Sequence, residues 1–150
     1  DVRKTQTWRL DAFGSGDAGP LAALEAGRLR RWRDWPDGTA LGAALLEAEP
    51  WPRVEIVTSH AGADGRIVDA LVASGVDGLV VAGTGNATLH HALEAALRRA
   101  LDRGVSVRCT TRVPEGGVRA GGAHDLPLVE AATPQQARVA LLLELLQRRG

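Results

Sequence analysis

Polar side chains that could bind a small polar ligand follow an apolar run near the middle of the chain. Asn86 and Thr88 come after Leu79–Ala82 and two glycines, Gly83 and Gly85. The apolar run is typical of a strand buried on both faces, and the glycines allow a sharp bend close to a ligand. Ligands of open parallel sheets bind at such strand ends, beside helix N-termini. Asn86 and Thr88 are therefore candidate substrate-binding residues, but the pattern is equally typical of a turn-forming Asn86, and for Thr88 it favours a helix N-cap.

Two other predicted strand ends carry similar side chains. Thr58-Ser59-His60 and Thr110-Thr111-Arg112 each lie at the end of a predicted strand, as Thr84-Gly85-Asn86 does. Parallel strands direct their carboxyl ends to one edge of a sheet, so we expect these three segments to converge there. The alternative is that their hydroxyls and amides only cap turns.

The glycine pattern is a weak indication of nucleotide binding. Gly83-x-Gly85-x-x-Thr88 resembles the start of a dinucleotide fingerprint, but the third glycine is missing. The following predicted strand, Val105–Cys109, runs into threonines and not into the acidic residue that would bind a ribose. A nucleotide-binding domain is therefore a minor alternative.

The other reactive residue types do not form a recognisable catalytic or metal motif. Cys109 is the single cysteine, which excludes an internal disulfide and favours a buried, inert thiol. No two histidines stand four residues apart on a helix, as zinc-binding helices require. The four histidines are His60, His90, His91 and His124. We expect no metal and no cofactor.

Composition is that of an ordinary globular protein. The 150 residues are 45% apolar and 24% charged with zero net charge, so neither nucleic acid nor an anionic membrane is an expected partner. No apolar run approaches the roughly 18 residues that span a bilayer. No signal peptide is evident, and we expect a cytoplasmic protein. The chain begins at Asp1 and contains no methionine, so we expect it to be part of a longer protein.

Two regions are predicted. Residues 1–38 form a linker arm with a hairpin, because Leu21–Ala23 and Arg28–Trp32 flank the turn residues Glu25-Ala26-Gly27. Residues 39–150 form an α/β domain, whose first part, 39–52, is either a short helix or a loop.

The regular part of the domain alternates strands and helices. The pattern favours a three-layer α/β fold, flavodoxin- or Rossmann-like, with a three- or four-stranded parallel sheet flanked by helices. The final helix begins with the capping box Thr133-Pro-Gln-Gln136 and is apolar on most sides over residues 137–146. We expect it to pack on the sheet. The predicted strands are Val54–Thr58, Gly78–Ala82 and Val105–Cys109, and the first two helices are Gly65–Ser74 and Leu89–Asp102.

The assembled segments resemble the C-terminal domain of bacterial-type L-asparaginases, together with the linker that leads into it. The most specific part is Gly75–Gly83 with Gly85-Asn86. The other similar segments are Val2–Phe13, Ser15–Pro20, Val54–Val57, Gly104–Val107, Thr111–Pro114 and Pro134–Arg138.

The resemblance implies hydrolysis of L-asparagine to L-aspartate and ammonia. In that family the nucleophilic threonine of a Thr-Gly-Gly-Thr motif, a Thr-Asp pair and a lysine lie in the N-terminal domain. None of these motifs occurs here, so we expect the chain to be inactive alone and to need its own N-terminal domain as a partner. The family's C-terminal domain completes the site of a neighbouring subunit, which implies a homo-oligomer.

The turn residues depart from the family pattern. An asparagine of the family's Gly-Asn-Gly-Asn turn lies near the substrate's amino group, whereas this chain reads Gly85-Asn86-Ala87-Thr88. The acidic residue that some members supply after Arg-Val-Pro has no clear counterpart in Gly116–His124. The resemblance therefore leaves asparagine and glutamine open as substrates. An oligomerisation or allosteric amide-binding module, as in some relatives, is the main alternative function.

Overall fold

The computed structural model describes residues 2–38, 40–119, 121 and 124–149, and residues 1, 39, 120, 122, 123 and 150 lie outside the described part. The chain divides into two compact units, one ending at Ala40 and one beginning at Leu41. Each unit has its own sheets.

The first unit contains two antiparallel strand pairs. Strand β1 (Arg3–Lys4) pairs with β2 (Phe13–Gly14), and β3 (Ala22–Glu25) pairs with β4 (Arg28–Arg31). The turn between β3 and β4 has positive φ at Ala26 (47°) and Gly27 (76°), which matches the twist of two-residue hairpins. The predicted hairpin is confirmed.

The second unit is built on a parallel sheet. In its described residues, β5 (Val54–Thr58), β6 (Gly78–Gly83) and β7 (Ser106–Thr111) form the order β5-β6-β7. A single parallel bridge between Cys109 and Leu128 lies beside β7. The predicted α/β fold with a parallel sheet is confirmed, with three strands and an isolated bridge where a fourth strand was one expectation.

Helices cover both faces of this sheet. Helices α1 (Arg66–Ala73) and α2 (His91–Asp102) share one core with the side chains of Leu79 and Val81. Helix α3 (Pro134–Arg149) shares the other core with Val80. Successive β6 side chains therefore enter opposite cores, which explains why this strand reads as an unbroken apolar run.

Several element boundaries differ from the sequence prediction. Helix α2 begins at His91 and not at Leu89, and β7 runs on to Thr111 because Thr110 and Thr111 stay in register with β6. The described part of 39–52 contains a 3-10 helix, Ala43–Glu47.

The capping box of α3 is confirmed. The backbone N–H of Gln136 donates to Thr133 Oγ1 (3.2 Å), and the N–H of Thr133 donates to Gln136 Oε1 (2.9 Å). On the helix itself, Ala137, Leu141 and Leu146 are buried, whereas Val139 is exposed, so α3 packs on the sheet through one side.

Thr133→Ala is expected to lower the free energy of unfolding by about 1 kcal/mol, because it leaves a helical N–H without its cap. Urea denaturation followed by circular dichroism at 222 nm measures this change. Gln135→Ala, at an exposed position of the same first turn, is the matched control and should unfold like the parent. Equal midpoints for the two variants would contradict a stabilising role for the capping box.

Within the described residues, no helix combines the length and the apolar character that crossing a membrane requires.

Candidate functional site

The three predicted strand ends meet at the carboxyl edge of the β5-β6-β7 sheet. The N–H of Ser59 donates to Ala82 O (3.0 Å), and the N–H of Arg112 donates to Gly83 O (2.9 Å), so both outer strands are tied to β6 where it ends. The Thr111 hydroxyl also donates to Thr84 O (2.9 Å). The predicted convergence is confirmed, and the central segment is the turn that follows β6.

That turn has an unusual backbone. The segment Gly85–Ala87 is a tight turn in which Asn86 (φ 54°, ψ 35°) and Ala87 (φ 58°) both have a left-handed backbone conformation. Asparagine tolerates this region, but for other L-residues it costs about 1–2 kcal/mol each. An alanine stays in such a conformation only where its surroundings impose it.

Short-range contacts hold the turn closed. Thr84 donates to Thr88 O through both its N–H (3.0 Å) and its hydroxyl (3.1 Å), and the N–H of Ala87 donates to Thr84 O (3.0 Å). The methyl group of Ala87 is fully buried. A Cβ atom at Gly83 would lie 2.6 Å from the carbonyl carbon of Ala87, so only glycine leaves space for this backbone approach.

The segment after β7 adds two contacts to the same turn. The N–H of Arg119 donates to Asn86 Oδ1 (2.8 Å), and His124 Nε2 lies 3.0 Å from Ala87 O. Val118, beside Arg119, is buried and donates its N–H to Glu130 O (2.9 Å), so the segment is itself anchored.

Two exposed side chains of the turn, Asn86 and Thr88, carry groups that can still form hydrogen bonds. Asn86 is exposed, and since its Oδ1 already accepts from Arg119, its NH2 group is the part of the amide that can donate to a ligand. Thr88 is exposed too, and its hydroxyl donates to Gly85 O (2.9 Å), so its lone pairs can accept. The exposed part of the turn therefore includes both a hydrogen-bond donor and a hydrogen-bond acceptor.

The structure thus brings Asn86 and Thr88 into one turn, but the N-cap alternative for Thr88 is wrong. The N-cap of α2 is His90, whose Nδ1 accepts from the N–H of Ala92 (3.3 Å). The reason is the tight turn at Gly85–Ala87, after which the helix begins later than predicted. Ser59, one of the predicted strand-end residues, is buried, and its hydroxyl accepts from the N–H of His90 (3.1 Å), which ties the end of β5 to the start of α2.

An ion pair fixes the far end of the segment that carries His124. The Asp125 carboxylate pairs with Arg98 of α2, and the hydrogen bond from Arg98 holds the pKa of Asp125 below its ordinary value. Both groups are solvent-exposed, so the contact contributes little to stability.

The residues described at this edge include few groups that could break a covalent bond. Cys109 is fully buried, and burial raises the pKa of its thiol to about 12, which leaves almost no reactive thiolate at neutral pH. Within the described residues, no three His, Cys, Asp or Glu side chains lie together as metal ligands would. Residues 120, 122 and 123 of the Gly116–His124 segment lie outside the described part. The described arrangement is suited to binding and orienting a ligand.

Known proteins share this chain's sequence pattern. Residues 53–149 match the family described as the glutaminase/asparaginase C-terminal domain. The chain is 33% identical to L-asparaginase 2 of Escherichia coli (strain K12), over 98% of this chain and 44% of that protein. It is 34% identical to L-asparaginase 2 of Bacillus subtilis (strain 168), over 96% and 40%, and 31% identical to a glutamyl-tRNA(Gln) amidotransferase subunit of Pyrococcus furiosus, over 78% and 27%. The chain therefore spans less than half the length of these relatives.

Proposed function

The chain belongs to the family of glutaminase/asparaginase C-terminal domains, and from that premise we propose that it is the substrate-orienting part of an amidohydrolase that converts L-asparagine and water to L-aspartate and ammonia. The observation that carries the proposal is the left-handed turn at the carboxyl edge, with the Asn86 amide and the Thr88 hydroxyl both exposed. The Asn86 NH2 group binds the substrate carboxylate, and the Thr88 oxygen accepts from the substrate ammonium.

The bond-breaking groups belong, in this proposal, to an N-terminal domain that precedes the chain. An acyl-enzyme route needs an activated hydroxyl and its proton acceptor held close together, which one rigid domain can provide. The second domain has only to fix the amino acid's charged ends, so that the side-chain amide faces the nucleophile. The absence of a Thr-Gly-Gly-Thr motif from the sequence supports this division.

Assembly follows from the same proposal. The turn completes the active site of a neighbouring subunit, so the active form is a homo-oligomer in which each chain serves its partner. Glutamine remains a second candidate substrate, because its charged ends are those of asparagine. A cytoplasmic location is also proposed.

The chain alone is expected to release no ammonia from L-asparagine or L-glutamine above the buffer blank, whereas the complete natural protein that contains it should do so. A glutamate-dehydrogenase-coupled assay measures the ammonia. The reason is that binding groups without a nucleophile orient the amide but do not cleave it. Hydrolysis by the chain alone that disappears in Thr84→Val or Thr88→Val would overturn the division of labour. A complete protein inactive on both amides would overturn the proposed reaction.

A further inference from the structure

The backbone of Ala87 determines where Asn86 and Thr88 point. Ala87 lies between them, its methyl group is fully buried, and its left-handed φ of 58° is unfavourable for alanine. Rotation of Ala87 back to a right-handed conformation would redirect the peptide that leads into Thr88. The direction of the Ala87 carbonyl group therefore depends on whether the turn has the conformation in which Asn86 and Thr88 would bind a ligand.

His124, which lies 37 residues after Ala87 in the sequence, contacts that carbonyl group. Its Nε2 atom is 3.0 Å from Ala87 O. A carbonyl oxygen can only accept, so Nε2 must carry the hydrogen and donate it. The other ring nitrogen, Nδ1, is buried and has no hydrogen-bond partner among the described residues. A buried ring nitrogen without a hydrogen-bond partner lowers the stability of the folded protein. The presence of a histidine at this position therefore needs a physical reason.

The backbone around His124 is fixed from several sides. Asp125 pairs with Arg98 of α2, and Leu126 is buried in the core. Pro127 O accepts from the N–H of Cys109 in β7 (2.7 Å). The imidazole therefore stands on a segment attached to both α2 and β7, and its position relative to the turn is set by the sheet.

We propose that His124 is a positioning residue, whose Nε2–H holds the Ala87 carbonyl and keeps Asn86 and Thr88 in the conformation that binds the amino acid. This inference rests on the proposed function. It assigns two holding points to the turn: the Arg119 N–H sets the orientation of the Asn86 amide, and His124 sets the backbone beside it.

A pair of amide variants in the complete protein separates this role from simple packing. His124→Gln places an amide nitrogen near the position of Nε2 and can still donate to Ala87 O, whereas His124→Asn places it near Nδ1 and cannot reach. We expect His124→Asn to raise KM for L-asparagine about three- to tenfold, with kcat within about twofold of the parent. His124→Gln should restore KM to within about twofold of the parent.

Equal KM values for the Asn and Gln variants would overturn the inference, as would a loss confined to kcat. Asn86→Ala in the same protein identifies the source of a failure. If Asn86→Ala impairs turnover while the two His124 variants behave alike, the His124 inference fails and the proposed function stands. If Asn86→Ala changes nothing, the binding role proposed for the turn fails.

A measurement on the unmodified protein covers the case in which His124→Asn does not fold. Nitrogen-15 NMR of histidine-labelled protein reports which ring nitrogen carries the hydrogen. The inference requires a protonated Nε2 for His124, with a shift that changes when L-aspartate fills the site. A His124 protonated only at Nδ1 would overturn it.

Discussion

Gly83→Ala is expected to lower the free energy of unfolding by about 2–3 kcal/mol and to distort the turn that carries Asn86. The added Cβ would lie 2.6–2.8 Å from three backbone atoms of Ala87, its carbonyl carbon, Cα and carbonyl oxygen. Gly83 cannot shift to relieve this clash, because it ends the central strand and is paired with Thr111 of β7. The turn must therefore move, and with it the left-handed conformation.

Gly85→Ala is the matched control for this prediction. Gly85 lies two residues further on, and nothing comes within 4 Å of a Cβ built there. It is also absent from the residues with positive φ, so alanine needs no backbone change. Its expected effect is below about 0.5 kcal/mol. Urea denaturation measures the free energy of unfolding of both variants. Equal midpoints would contradict the prediction, because they would show that the turn accommodates the added methyl group without loss of stability.

The framework of the sheet could be predicted from the sequence because its signals are local. Strand β5 has the predicted bounds, Val54–Thr58, since four of its five residues are β-branched, as is typical of strands. The capping box of α3 needs only Thr133 and Gln136, which are three positions apart. The convergence of the strand ends then follows from the parallel order alone.

The shape of the turn could not be predicted in the same way. A Gly-Asn-Ala-Thr sequence indicates a bend, but nothing local favours a left-handed alanine at position 87. That conformation depends on the close approach of Gly83 and on His124, which is 37 residues away. His124 itself lies in a glycine-rich segment without periodicity, where a lone histidine gives no signal. The wrong N-cap for α2 has the same origin, since Thr88 closes a turn that the sequence does not reveal.

The contacts of Asn86 also refine what its side chain can do. The resemblance to asparaginases puts an asparagine of this turn near the substrate's amino group. In the structure, the carbonyl oxygen of the Asn86 side chain accepts from the N–H of Arg119, and the NH2 group of the same exposed side chain is a donor. An NH2 group donates, and an ammonium group cannot accept. The proposed function therefore pairs the Asn86 NH2 group with the substrate carboxylate and the Thr88 oxygen with the ammonium group.

Asn86→Ala in the complete protein is expected to lower kcat/KM for L-asparagine ten- to a hundredfold, corresponding to about 1.5–3 kcal/mol for a hydrogen bond to a charged group. Two further substitutions separate the side chain from the backbone. Asn86→Gly keeps the left-handed conformation accessible but removes the amide, and it should be as impaired as Asn86→Ala. Asn86→Asp keeps the acceptor for Arg119 but replaces the donor with a negative charge, and it should be impaired at least as much.

Arg119→Ala is the matched control for this set, because the contact to Asn86 comes from the backbone N–H of Arg119, which alanine retains. Its kinetics should stay within about twofold of the parent. Steady-state assays of ammonia release give kcat and KM for all four variants. If Asn86→Gly turns over asparagine like the parent, the side chain only shapes the turn and the carboxylate is bound elsewhere. If Asn86→Asp alone keeps full activity, the carbonyl oxygen matters and the NH2 group does not, which would reverse the polarity assigned to this site.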